Sequence, residues 1–154
     1  MKEKIISVIN QKGGVGKTTT VINLAAGLSL NGKKILVIDL DPQGNATTGL
    51  GLSNVADTSK SIYGVLNGKE EIQSSIQKTN FQNLDIVTSN VDLSGLEVET
   101  ADDENRAYLL KVKLAAYLNN SSHSYDYVLI DCPPSLSLLT VMALVASDSL
   151  VVPL

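Results

Sequence analysis

The chain has 154 residues, enough for one domain with a sizeable core, and its 44% hydrophobic and 18% charged content is that of an ordinary globular protein. A net charge of −4, a single arginine (Arg106) and the lack of any dense Lys/Arg cluster exclude the electrostatic footprint of a nucleic-acid surface from these residues. One cysteine, Cys132, excludes an intramolecular disulfide and fits a reducing cytosol, where it reads as a packed small side chain.

With five tyrosines, one phenylalanine and no tryptophan, the core must be aliphatic. The apolar run after Lys2 and Lys4 is too short for a signal peptide. The longest uncharged runs, 18–32 and 132–147, contain polar residues, fall short of a membrane span and read as buried helices.

The first element in chain order is a strand over 4–9, apolar in its interior apart from Ser7, as a central parallel strand should be. The stretch Gln11-Lys12-Gly13-Gly14-Val15-Gly16-Lys17-Thr18-Thr19-Thr20 follows, and then a helix over 18–30 with Val21, Leu24, Ala25 and Leu28 on one face. Strand, glycine-rich turn and helix form the layout of a phosphate-binding loop. Glycines at 13, 14 and 16 let successive backbone N–H groups, those of Val15 and Thr19 included, point around an anion, and the helix turns its positive end toward it. Lys17 would reach the β- and γ-phosphates and the Thr18 hydroxyl would ligate Mg²⁺. The ordinary pattern asks for glycine where this chain has Gln11, and the chain carries an extra lysine, Lys12, ahead of the glycines.

A second buried strand, 35–38, ends in Asp39-Leu40-Asp41-Pro42-Gln43-Gly44-Asn45. Carboxylates at the carboxyl end of a parallel strand lie where open α/β sheets bind ligands, although Asp39 and Asp41 alone could simply cap a turn before Pro42. Residues 46–60 read as a loop, 61–66 and 72–77 as short helices, and 83–89 as a third strand. Residues 91–97 read as a loop and helix start, and 103–118 as a helix burying Ala107, Leu110, Leu114 and Leu118. His123, the only histidine, reads as a solvated loop residue.

A fourth strand over 125–131 is an apolar run ending in Asp131, the form in which a carboxylate serves Mg²⁺ beside a phosphate loop. Ser135 reads as the N-cap of a helix through Ala146, and 150–154 as a fifth strand. The apolar last segment, without a polar tail, reads as a domain cut at or just after a buried strand. Strand–helix alternation predicts an α/β fold with a doubly wound parallel sheet.

The Lys12-Gly13-Gly14-Val15-Gly16-Lys17-Thr18 form resembles the deviant Walker A motif of the ParA/MinD group of P-loop NTPases. Asp39-Leu40-Asp41-Pro42-Gln43-Gly44-Asn45 and Asp131-Cys132-Pro133-Pro134-Ser135 are similar to further signatures of the ParA/Soj partitioning ATPases. The resemblance implies a sheet ordered 3-2-4-1-5 with further strands beyond, so that 1–154 would be the N-terminal part of a single P-loop ATPase domain. It implies ATP and Mg²⁺ as cofactors, with Asp41 positioning the attacking water, Asp131 serving the metal with Thr18, and Lys12 reaching the partner's nucleotide. Residues 91–97 are similar to a segment that approaches the dimer interface.

At the level of partners it implies a homodimer with ATP sandwiched, a ParB-type centromere-binding protein and non-specific DNA, in the cytoplasm at the nucleoid, with no membrane. A MinD-like membrane regulator would need a basic amphipathic C-terminal helix, and a ParA-like ATPase that positions a protein cargo is not separated by these residues. A bacterial tyrosine kinase of related fold would carry Arg-rich text where this chain has Pro42-Gln43-Gly44-Asn45, and one cysteine excludes an iron–sulfur reductase of the nitrogenase iron-protein type.

Overall fold

The computed structural model describes residues 2–9, 17–52, 59–120, 122–123 and 125–153. Strands and helices follow one another as β1 (Lys4–Val8), α1 (Lys17–Leu30), β2 (Ile35–Asp39), α2 (Asn45–Gly49), α3 (Ile62–Leu66), α4 (Ile72–Ser75), β3 (Ile76–Lys78) and β4 (Leu84–Val87). They continue as α5 (Leu96–Glu99), α6 (Leu109–Asn120), β5 (Tyr127–Asp131), α7 (Leu138–Ala146) and β6 (Ser149–Val151). Single 3₁₀ stretches, Val91–Gly95 and Arg106–Tyr108, lead into α5 and α6.

Every residue of β2 is fully buried, so the strand has no wet face and is covered on both sides. Its side chains alternate. Leu36 and Ile38 join one core with Val128 and Ile130 of β5, under α3, α6 and α7. Ile35 and Val37 join the other with Leu129, under Val21 and Ala25 of α1.

The sheet runs β3-β4-β2-β5-β1-β6 and is parallel except for β3, which lies antiparallel on β4. Without β3, the parallel strands counted along the chain stand in the expected order 3-2-4-1-5. In register, Val8 and Asp39 flank Asp131, so β1, β5 and β2 end at one level on the carboxyl edge. At the other end of the sheet β6 pairs with β1, and Leu150 is 51% exposed.

Several local expectations are corrected. The helix expected over 72–77 stops at Ser75, and Ile76–Lys78 turns into the edge strand on β4. Within the span read as a loop, Asn45–Gly49 forms α2. Residues 106–108 form a 3₁₀ turn, and the α-helix starts only at Leu109, still burying Leu110, Leu114 and Leu118. The N-cap of α7 is Ser137, not Ser135; the Ser135 carbonyl instead accepts the Thr140 hydroxyl at 2.6 Å. His123 is not solvated. Its side chain is 8% exposed, its Nε2 lies 3.0 Å from the Leu118 carbonyl, and its ring stacks on Tyr125.

Candidate active site at the carboxyl edge of the sheet

Three carboxylates converge where the central strands end: Asp39, Asp41 and Asp131, at most 3% exposed. Strand register places Asp39 and Asp131 side by side. Burial, and then the neighbouring Asp131, push the Asp39 carboxyl up to about 7 from the ordinary 3.8, against the opposing hydrogen bonds from Thr47 and Asp41. Asp39 is held by three donors: its Oδ2 accepts the Thr47 N–H (2.8 Å) and hydroxyl (2.7 Å), and its Oδ1 accepts the Asp41 N–H (3.1 Å).

Asp131 reaches the start of α1. The Thr18 hydroxyl donates to Asp131 Oδ2 at 2.9 Å, across 113 residues of sequence. This contact joins the helix that follows the glycine-rich stretch to the end of the fourth parallel strand. A hydroxyl and a carboxylate converging at the start of the helix that follows the glycine-rich stretch suit Mg²⁺, which keeps several waters and takes one or two protein ligands besides phosphate oxygens. Among the described residues no group of three or more His, Cys, Asp or Glu side chains forms a metal cage, and Mg²⁺ does not require one.

Asp41 leaves β2 on a tight turn. Its Oδ1 accepts the Gln43 N–H at 3.0 Å, and its carbonyl accepts the Gly44 N–H at 2.9 Å. Gly44 has φ +66°, a left-handed value that glycine adopts without cost and that lets the chain enter α2 directly. The Ser89 hydroxyl at the end of β4 also donates to the Asp41 carbonyl, at 2.7 Å.

Of the residues singled out in the sequence, Thr18, Asp41 and Asp131 belong to this edge, and Lys17 opens α1. Lys12, Gly13, Gly14, Val15, Gly16 and the Lys17 side chain lie outside the described residues. Thr19, the residue after Thr18 in the first turn of α1, is exposed. Residues 91–97 form the 3₁₀ turn and the start of α5. Sequence reasoning missed Thr47 and Ser89, which sit in runs of small polar residues with no periodic signal. It also left Asp39 and Asp41 between a turn cap and a ligand, and both carboxylates accept turn N–H groups, Asp39 from Asp41 and Thr47 and Asp41 from Gln43.

A family model for an AAA domain, AAA_31, matches residues 3–154. The chain belongs to this family. It is 48% identical over 150 residues to the sporulation initiation inhibitor protein Soj of Bacillus subtilis, an alignment covering 97% of this chain and 57% of that protein. Among solved structures, it resembles a cobyrinic acid a,c-diamide synthase of Mycobacterium smegmatis with bound ATP analog and magnesium (TM-score 0.87, 39% identity, 99% of this chain and 60% of that one). A plasmid partition protein of Borrelia burgdorferi bound to AMPPNP follows at a TM-score of 0.82 and 33% identity, covering 99% of this chain and 63% of that one.

Within the AAA_31 family the chain is of the ParA/Soj type, and it spans a little over half the length of the curated relatives it matches. Its sheet is the mostly parallel one of P-loop NTPases, and among the described residues no helix is long and apolar enough to cross a membrane.

Proposed function

We propose that this ParA/Soj-type chain is the nucleotide-binding part of a partitioning ATPase that binds ATP with Mg²⁺, hydrolyses it and segregates chromosome or plasmid DNA. The observation that carries the reading is the 2.9 Å contact between Thr18 and Asp131, because it supports one metal site shared by the phosphate-loop helix and a strand-end carboxylate. Backbone N–H groups of 13–19 and the Lys17 ammonium would cradle the phosphates, with Thr18 and Asp131 serving the metal. Bound Mg²⁺ would neutralise charge on the transferring phosphoryl group. Asp41, with no described donor on its Oδ2, would hold the attacking water in line.

Lys12 would act across an ATP-sandwich homodimer, and a ParB-type protein and non-specific DNA would be its partners, in the cytoplasm at the nucleoid. The two lysines test this in the full gene product. Lys17→Ala should abolish ATP binding. Lys12→Ala should bind ATP as a monomer yet fail to dimerise with it. Equal loss of ATP affinity in both variants would mean that Lys12 acts within its own subunit.

A second reading comes from the named neighbour, a cobyrinic acid a,c-diamide synthase: ATP spent on forming the a,c-diamide of cobyrinic acid. It requires ATP consumption that depends on cobyrinic acid, whereas the partitioning reading requires DNA- and ParB-dependent turnover.

A further inference from the structure

Four residues close a ring of hydrogen bonds around Asp41. The Ser89 N–H donates to Thr47 Oγ1 at 3.0 Å, and the Thr47 hydroxyl in turn donates to Asp39 Oδ2 at 2.7 Å. Asp39 Oδ1 accepts the Asp41 N–H at 3.1 Å, and the Asp41 carbonyl accepts the Ser89 hydroxyl at 2.7 Å. Each donor is used once, and the ring returns to Ser89.

The ring fixes both faces of one peptide residue. Asp41 is held at its N–H by Asp39 and at its carbonyl by Ser89, while its carboxylate is bonded only to Gln43 N–H among the described residues. All four members are buried: Asp39 0%, Asp41 3%, Thr47 4% and Ser89 8% exposed. A backbone so clamped, with the Gly44 N–H also donating to the Asp41 carbonyl at 2.9 Å, gives its side chain a narrow range of directions. Thr47 is the ring's only two-way relay: its hydroxyl accepts from Ser89 and donates to Asp39, which valine of the same shape cannot do.

We infer that Asp39, Thr47 and Ser89 are positioning residues that set the direction of the Asp41 carboxylate, tying it to the ends of β2 and β4 at once. The inference rests on the hydrolytic role proposed for Asp41. A 1 Å misplacement of such a group costs about a hundredfold in rate, so breaking the ring should reduce hydrolysis without touching the phosphate contacts.

The test is a double-mutant cycle in the full gene product, read by single-turnover ATP hydrolysis, ATP affinity and thermal unfolding. Thr47→Val should slow hydrolysis about 10- to 100-fold with ATP affinity unchanged, and Thr47→Ser should restore the rate. In an Asp41→Ala background Thr47→Val should add no further loss of rate, because the residue it positions is gone. Multiplicative losses in that background, or a parallel fall in ATP affinity, would make the ring a structural brace only and overturn the inference. If Asp41→Ala itself hydrolyses at the parent rate, the role of Asp41 is wrong and the inference falls with it. Should Thr47→Val fail to fold, Ser89→Ala removes only the bond to the Asp41 carbonyl and runs the same cycle with the same two outcomes.

Discussion

The two edges of the sheet treat their polar groups in opposite ways. At the amino edge, polar groups are spent on one another: the Tyr125 hydroxyl donates to Asp85 at 2.6 Å, and the Lys34 N–H donates to Asp126 at 2.8 Å. The Tyr125 N–H donates to His123 Nδ1 at 3.1 Å, which leaves Nε2 to carry the proton toward the Leu118 carbonyl. At the carboxyl edge, three buried carboxylates gather, and their described partners are hydroxyls and backbone N–H groups.

A cavity of about 520 Å³ lies at the amino edge, lined by residues that include Lys34, Phe81, Asp85 and Tyr125. A row of mutually satisfied pairs stabilises a fold, whereas acceptors placed together at the carboxyl end of a parallel sheet lie where open α/β sheets bind their ligands.

Substitutions at the two edges should separate these roles. At the carboxyl edge, Asp131→Ala should weaken Mg²⁺-dependent ATP binding about 10- to 100-fold, measured by titrating Mg²⁺ at fixed ATP. An unchanged Mg²⁺ dependence would remove Asp131 from the metal site.

Next comes pH. The Asp39 carboxyl is pushed up to about 7, so the folded state holds its proton more tightly than the unfolded chain, where the value is 3.8. Its stabilisation is complete below 3.8 and is lost as pH rises through about 7, a contribution of up to about 4 kcal/mol for the nucleotide-free protein. A carboxyl-¹³C titration should show the midpoint for Asp39 near 7. A midpoint at the ordinary 3.8 would mean that the hydrogen bonds from Thr47 and Asp41 fully offset burial and the neighbouring Asp131.

The smallest effect belongs to the amino edge. Tyr125→Phe removes the bond to Asp85 and should cost about 1–2 kcal/mol in urea unfolding. ATP hydrolysis should be unaffected, and a loss of rate would erase the contrast between the edges.

Much of this frame was legible in the residues. The apolar runs 35–38 and 128–130 admit only buried parallel strands, and the spacing of Leu110, Leu114 and Leu118 marks one helix face. Asp131 announced itself by ending such a strand and Thr18 by following the glycines, whereas Asp41 stood out only through the resemblance of 39–45 to a ParA/Soj signature.

What the residues hid is set by tertiary partners. Ile76–Lys78 has no strand signal in three residues and becomes one because β4 offers an open edge. Asn45–Gly49 is made of poor helix formers apart from Ala46, and it turns because Thr47 is anchored to Asp39. Ser89 and Thr47 carry no pattern at all, since a ring of hydrogen bonds leaves no periodicity. His123 was misread because its burial depends on Tyr117 and Tyr125, which bracket it in space.

The central claim is that the carboxyl edge divides its work, with Asp131 serving the metal and Asp41 the attacking water. Single-turnover hydrolysis by the full gene product carrying Asp41→Ala, measured beside its ATP affinity, tests this most directly. Hydrolysis is largely positioning and charge stabilisation, so the rate should fall roughly 10²–10⁴-fold while ATP binds as in the parent. Weakened ATP binding with hydrolysis at the parent rate would contradict the account and exchange the two roles.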